Sequence, residues 1–229
     1  MVAAENQTEA AILSRRSIRG FLPTPIPRAT VEHLLDVAAR APSGTNMQPW
    51  RVLALAGAPL ASFTSGLVTA ARSGETDGPE SAYYPAPLFE PYVSRRRKIG
   101  WDLYGLLGIG IGRGERDKAR AHVEHSLRFF GAPVGLLLLA ERRLAIGSWL
   151  DLGMFLQTLA VAARARGLDT CPMAVFAEHP RAIRRLLGVA EQDQIICGMA
   201  IGYEDAASPA NALRTDRVPA ASFSEFRGF

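Results

Sequence analysis

The unbroken apolar run at residues 132–140, Ala-Pro-Val-Gly-Leu-Leu-Leu-Leu-Ala, constrains the fold more than any other stretch. It is far shorter than the roughly eighteen consecutive apolar residues that a membrane helix needs, a length no window of the chain reaches, and it suits a central strand. Residues 50–56 form a second run of β-forming side chains, closed by Gly57 and expected to be buried on both faces. Residues 194–203 read as a third strand, and 168–176 as strand or extended loop. Helical patterns lie between them. Val31, Leu34, Leu35 and Ala38 follow the i, i+3, i+4, i+7 spacing from Thr30 to about Ala41, where Pro42 stops the helix. Residues 8–14, 59–73, 91–107, 116–130 and 180–187 also read as helices, and Pro23, Pro25 and Pro27 impose an extended linker. Ser148 and Asp151 resemble a capping box opening a long helix to about Arg166, with Leu152, Phe155, Leu156, Leu159 and Ala163 as its buried stripe.

A chain of 229 residues, 48% hydrophobic and 21% charged, is read as one domain. The start lacks the basic-then-apolar layout of a signal peptide, so a cytoplasmic location is expected, with no membrane association. Cys171 and Cys197 are far apart and in apolar settings, which predicts buried free thiols. His122 and His125 share a helix face without acidic or thiol partners, so no metal site is expected. A net charge of +4 and a pI near 9.4 admit either nucleic acid or anionic cofactors. The arginines are scattered, and the one tight cluster, Arg95-Arg96-Arg97-Lys98, has no stacking surface beside it, so it reads as a solvated helix face. Nucleic acid is therefore not expected as a partner. The glycine-rich run 108–114 does not satisfy the dinucleotide fingerprint, and no strand precedes it.

Two motifs carry the chemistry. In Ala41-Pro42-Ser43-Gly44-Thr45-Asn46-Met47-Gln48-Pro49-Trp50, the prolines hold the backbone extended and the side chains between them are small or hydrogen-bonding. Such a loop suits the polar edge of a flat heteroaromatic ligand. In Arg15-Arg16-Ser17-Ile18-Arg19, three guanidinium groups beside a hydroxyl suit a phosphate. Residues 74–91, rich in Gly, Pro, Glu and Tyr, form a long loop that fits a ligand-facing lid.

The two motifs, in this order and spacing, resemble the FMN-dependent nitroreductase family, in particular its nitrobenzoate and nitroaromatic reductase branch. The resemblance implies an α+β fold, with a central mixed β-sheet wrapped by helices, built as an intertwined homodimer with flavin sites at the interface. Residues 1–229 would form one such domain, with 74–114 as an insertion or lid and 204–229 as a C-terminal extension docking on the partner subunit. By position, Arg15 and Ser17 would hold the phosphate or ribityl end of FMN, with Arg16 between them also cofactor-binding, and Arg19 would face the N1 and O2 edge of its ring. Arg214 and Arg217 resemble a C-terminal phosphate clamp. Pro42, Ser43 and Gly44 would reach in from the other subunit, in a loop shaped by Asn46 and Gln48. Met173 and Ala174 match the segment whose backbone amides approach flavin N5 and O4. Tyr83, Tyr84, Trp101 and Tyr104 are candidate substrate contacts. The implied activity is ping-pong reduction of nitroaromatic compounds with NADH or NADPH. Reduction of a quinone, enone or halogenated phenol on the same scaffold, or a basic nucleic-acid-binding module, are the alternatives.

Overall fold

The structure is a computed structural model that describes residues 3–110 and 115–228. The end of the glycine-rich run, 111–114, and Phe229 of the tail lie outside the described residues. The helices are α1 (Gln7–Ser14), α2 (Arg28–Ala38), α3 (Gly57–Arg72), α4 (Tyr92–Leu106), α5 (Arg116–Leu127), α6 (Ile146–Arg164) and α7 (Pro180–Leu187). The strands are β1 (Phe21–Leu22), β2 (Arg51–Ala56), β3 (Val134–Glu141), β4 (Asp169–Met173) and β5 (Asp193–Glu204).

The expected central strand is β3, buried along almost its whole length between β2 and β5, both antiparallel to it. β4 pairs antiparallel with β5, and β1 with the end of β5. Among the described residues, the parallel component of the expected mixed sheet is a single bridge, Ser17 to Thr170. Alternation along β3 sorts the core into two layers. Leu137 and Leu139 face α3, α5 and α7 with Phe63, Leu67 and Ile183; Leu136, Leu138 and Ala140 face α2 and α6 with Leu34, Phe155 and Leu159. A bulge opposite Leu138 and Leu139 makes Ile196 an extra residue in β5. Ile196 and Cys197 therefore both join the α2/α6 layer, which strict alternation forbids.

On the other layer the sheet is made shallow for aromatic rings. A Cβ at Gly198 would lie 2.3 Å from Phe176, and one at Gly135 would lie 2.7 Å from Phe129. The two rings stack with centroids 4.3 Å apart and lie 6.4 and 6.5 Å from Phe63. Each fully buried Phe contributes about 1.5–3 kcal/mol, enough to hold Phe129 and Phe130 at the left-handed φ of 53° and 54° that their turn requires.

Three expectations are corrected. β2 is an edge strand rather than one buried on both faces: it pairs only with β3, and Leu55 is its one buried residue. Ser148 and Asp151 do not cap α6, which starts at Ile146 without a side-chain cap; both are buried inside the helix. The first part of the 74–91 loop is pinned to the body. Glu80 accepts from Arg142, Arg184 and the Ile195 amide, Gln194 donates to Ser81, and Arg185 pairs with Glu75. Finally, α6 is long and apolar enough by length and composition to cross a bilayer, but 44% of its apolar window is buried in the protein core.

Candidate functional site

The arginine segment is laid along β4. Ser17 bridges Thr170, the Ile18 amide donates to the Thr170 carbonyl at 3.1 Å, and the Ile18 side chain is fully buried. Its neighbours are thereby left at the surface, half-exposed. What fixes them is Asn211, a residue buried to 3% exposure. Its Oδ1 accepts from the Arg19 amide at 2.6 Å, and its Nδ2 donates to the carbonyls of Gly20 (2.8 Å) and Asp205 (2.9 Å). Its own carbonyl accepts from Arg16 Nη1 and Arg214 Nη1. One asparagine thus ties the N-terminal arginine segment to the C-terminal one.

The five arginines of these segments separate into two kinds. Arg16 is an internal strut: its Nη2 meets both Glu204 carboxylate oxygens at 2.8 Å while Nη1 holds Asn211. That engagement corrects the expectation that Arg16 serves a phosphate. Arg15, Arg19, Arg214 and Arg217 have no carboxylate partner among the described residues; the Arg19 guanidinium donates to the Ser17 carbonyl, and that of Arg217 to Thr215 Oγ1 and the Asp216 carbonyl. Burial, and then the like charge of Arg217, hold the Arg15 guanidinium below its usual range, with nearby Cys171 pulling the other way. Burial pushes the Cys171 thiol up to about 11 against the opposing influence of Arg19, Ser17 and Arg15, and pushes Cys197 up to about 12. Both are free, buried thiols.

Beside this cluster, β4 ends at Met173 and turns into a 3-10 segment, Ala174–Glu178. Met173 is buried and Ala174 half-exposed. The first amides of such a turn have no acceptor within it, so they are available to a ligand's acceptor atoms. Arg19 is also close enough to α5 that, after burial, its charge lowers the pKa of His122. His122 packs edge-on to Tyr104 of α4 at 6.3 Å and against Phe130 at 5.9 Å.

The proline-bracketed loop folds into a tight 3-10 turn at Gly44–Asn46. Thr45, Asn46 and Gln48 all have positive φ, a strained conformation for residues with side chains. The strain is held from two sides. Ser43 Oγ accepts from the Gln48 amide at 3.0 Å, and the buried carboxylate of Asp151 accepts from the Gly44 amide at 3.2 Å. Among the described residues, no hydrogen bond or ion pair joins this loop to the arginine cluster of the same chain.

The tyrosines do not converge. Tyr104 packs on His122. Tyr83 packs on Tyr84 at 5.4 Å, and burial, then the nearby Cys197, push its phenol well above the usual range. Tyr84 lies under Arg96 at a separate cavity, and Trp101, 66% exposed, makes no ring contact among the described residues. Asp151 and Asn211, which fix the loop and the arginine segments, are not among the candidate site residues read from the sequence. Asp151 reads in sequence as part of a helix cap, although it is an acid at i, i+4, i+8 with the buried Phe155 and Leu159; Asn211 heads the C-terminal arginine stretch, where the arginines alone draw attention.

Fold and geometry together define an α+β protein whose N-terminal and C-terminal arginine segments meet at Asn211 beside the central sheet. The nitroreductase family profile matches residues 12–203, and the chain belongs to that family. It is 40% identical to the 4-nitrobenzoate reductase of Pseudomonas putida, covering 100% of this chain and 99% of the relative. It is 35% identical to the nitrobenzene nitroreductase of Ectopseudomonas oleovorans, over 94% of each. Among solved structures, it superposes with a TM-score of 0.89 on the FMN-dependent nitroreductase NfnB from Mycobacterium smegmatis in complex with NADPH, at 32% identity over 96% of this chain and 98% of that one.

Proposed function

We propose that this chain is an FMN-dependent nitroreductase of the cytoplasm that uses NADH or NADPH to reduce nitroaromatic compounds by a ping-pong cycle. The observation that carries this reading is the meeting of the two arginine segments at Asn211, where Arg15, Arg19, Arg214 and Arg217 have no carboxylate partner among the described residues. A phosphate monoester, with a charge near −2, would be held by such guanidiniums through charge-assisted hydrogen bonds. Arg15, Ser17, Arg214 and Arg217 would hold the phosphate and ribityl end of FMN. Arg19 would lie along the N1 and O2 edge, and the amides after Met173 would donate to the ring's acceptors. When bound, FMN supplies two-electron hydride chemistry, and the protein supplies position and field. A fixed positive charge at Arg19 favours the charge that builds at N1 on reduction. The overall step balances as a nitro compound plus NADPH and a proton giving a nitroso compound, NADP+ and water. A second NADPH and proton carry the nitroso compound to the hydroxylamine.

The reading includes one nitroreductase-like domain that works as an intertwined homodimer, with residues 204–229 docked on the partner. Three features support it. Ile146, Leu150 and Met154 of α6 recur at i, i+4, i+8 and are exposed by 83%, 69% and 38%, a stripe that a monomer leaves in water. The outer edge of β2 borders an apolar cavity of about 460 Å³ lined by Ile26, Val31, Leu35, Ala54 and Leu55, suited to an added segment. The tail, with Phe223 69% exposed, has the matching character. The 42–48 loop, apart from the arginines of its own chain, would complete the partner's pocket.

Purification tests the proposal directly. The expected protein is yellow, elutes as a dimer and, without oxygen, bleaches with NADPH and recolours with 4-nitrobenzoate. A colourless protein that takes up no flavin on reconstitution would refute the reading.

A further inference from the structure

The sequence leaves Arg95 and Arg96 as part of a solvated basic run, but the structure gives them a specific setting. The Arg96 guanidinium lies 5.6 Å from the centroid of the Tyr84 ring, and that of Arg95 lies 5.9 Å from the Tyr92 ring. Neither has a carboxylate or hydrogen-bond partner among the described residues, whereas Lys98, on the same helix, pairs with Asp102 and Asp216. The two stacked arginines line a cavity of about 690 Å³ between the 84–92 segment and the first half of α4, with Pro85, Leu88, Phe89 and Ile99 as its apolar wall. Aromatic faces, an apolar wall and two adjacent free guanidiniums make a site for a flat ring system that carries a dianion.

We propose that this cavity seats the adenine and 2′-phosphate of NADPH, so that Arg95 and Arg96 make the enzyme select NADPH over NADH. The inference deepens the reading above and rests on it for the identity of the donor. Size and charge favour this occupant over the nitroaromatic acceptor. The cavity lies in the range that encloses a drug-sized ligand, which fits a nucleoside phosphate, whereas a nitrobenzoate ring would leave most of it empty. Two guanidiniums match the two charges of a phosphate monoester, and a carboxylate needs only one. Position agrees as well. Lys98, three residues beyond Arg95, bridges α4 to Asp216 beside Arg217, so the same helix runs from the cavity to the anion cluster, and an extended dinucleotide can reach along it.

The test uses the full-length protein and adenosine 2′,5′-bisphosphate as probe, with AMP as the control lacking the 2′-phosphate. By calorimetry the bisphosphate should bind at least about tenfold more tightly than AMP, the size of one charge-assisted hydrogen bond. Arg95→Ala and Arg96→Ala should each remove most of that difference, and Arg97→Ala, which lies over no ring, should leave it. In steady-state assays the first two variants should lose about tenfold or more in kcat/KM for NADPH while that for NADH stays within about twofold. Arg96→Gln, which keeps a planar polar group over Tyr84, should behave like Arg96→Ala. Equal binding of the bisphosphate and AMP, equal losses with NADH and NADPH, or displacement of the probe by 4-nitrobenzoate with the same arginine dependence would each overturn the proposal. Because the calorimetry needs no flavin, arginine-dependent binding of the bisphosphate to a colourless protein would support the site while refuting the flavin reductase reading.

Discussion

Replacing Asn211 by Ala should damage the fold and the site together. Its side chain makes three hydrogen bonds from a position only 3% exposed: one from the Arg19 amide and two to the carbonyls of Gly20 and Asp205. Truncation removes all three. At about 1 kcal/mol net for each the loss is about 3 kcal/mol, and more for any group that water cannot reach. For a chain of this size that corresponds to a fall in melting temperature of about 6–12 °C. The backbone carbonyl of residue 211 can still accept from Arg16 and Arg214, so the chain should fold, but the Arg19 backbone loses its anchor. FMN affinity should therefore fall by about tenfold or more, since the cationic edge is no longer held in place. Asn211→Asp keeps the acceptor for Arg19 but turns a carboxylate oxygen onto two carbonyls and adds an anion between the arginine segments. It should weaken FMN binding more than Ala does. Urea titrations of the apoprotein and fluorescence titrations with FMN measure both quantities. A stability loss below about 1 kcal/mol with unchanged FMN affinity would refute the role assigned to Asn211.

Other outcomes follow from the same geometry. Arg19→Ala should raise the barrier to reduction by NADPH by about 2–4 kcal/mol and lower the flavin midpoint potential; a potential equal to that of the wild type contradicts the assignment. Gly198→Ala drives a methyl group into the Phe176 ring and should cost about 1–3 kcal/mol in chemical denaturation, whereas the same change at Gly147, where nothing lies within 4 Å, should be neutral or stabilising. For Glu80, burial alone would raise the pKa, but Arg142, Arg184 and the Ile195 amide together hold it below the ordinary 4.5. Its contribution to stability is therefore present above about pH 4.5 and is lost as the pH falls through the lower folded value. Glu80→Gln should flatten that acid limb of the stability profile; an unchanged limb would show that the pinning of residues 75–81 does not depend on the charge.

Local pattern made much of this architecture legible. The apolar runs become β2, β3 and β5, and the helix over 91–107 becomes α4 within a residue at each end. The two motifs also stand out from the core pattern, because their side chains are charged, polar or small rather than apolar. What stayed hidden depends on pairings distant in sequence. That β2 is an edge follows from which strands flank it. That Arg16 is a strut while Arg15 is free follows from Glu204, 188 residues away. Asp151 imitates a helix cap in sequence, yet its partner is the amide of Gly44, 107 residues earlier. The pinning of residues 75–81 was hidden for the same reason: they are polar and irregular in sequence, and their partners lie on α7, on β5 and at Arg142.

The central proposal is that the arginine cluster holds the phosphate of a flavin. The most direct measurement is equilibrium binding of FMN and riboflavin, which differ only in that phosphate, to the apoprotein and to Arg15→Ala and Arg217→Ala variants. Each charge-assisted contact to the phosphate is worth about 1.5–3 kcal/mol, so the wild type should bind FMN at least about 100-fold more tightly than riboflavin. Each variant should lose about tenfold or more of that ratio, with riboflavin affinity unchanged. Equal affinities of the wild type for the two flavins, or a ratio unaffected by either substitution, would contradict it.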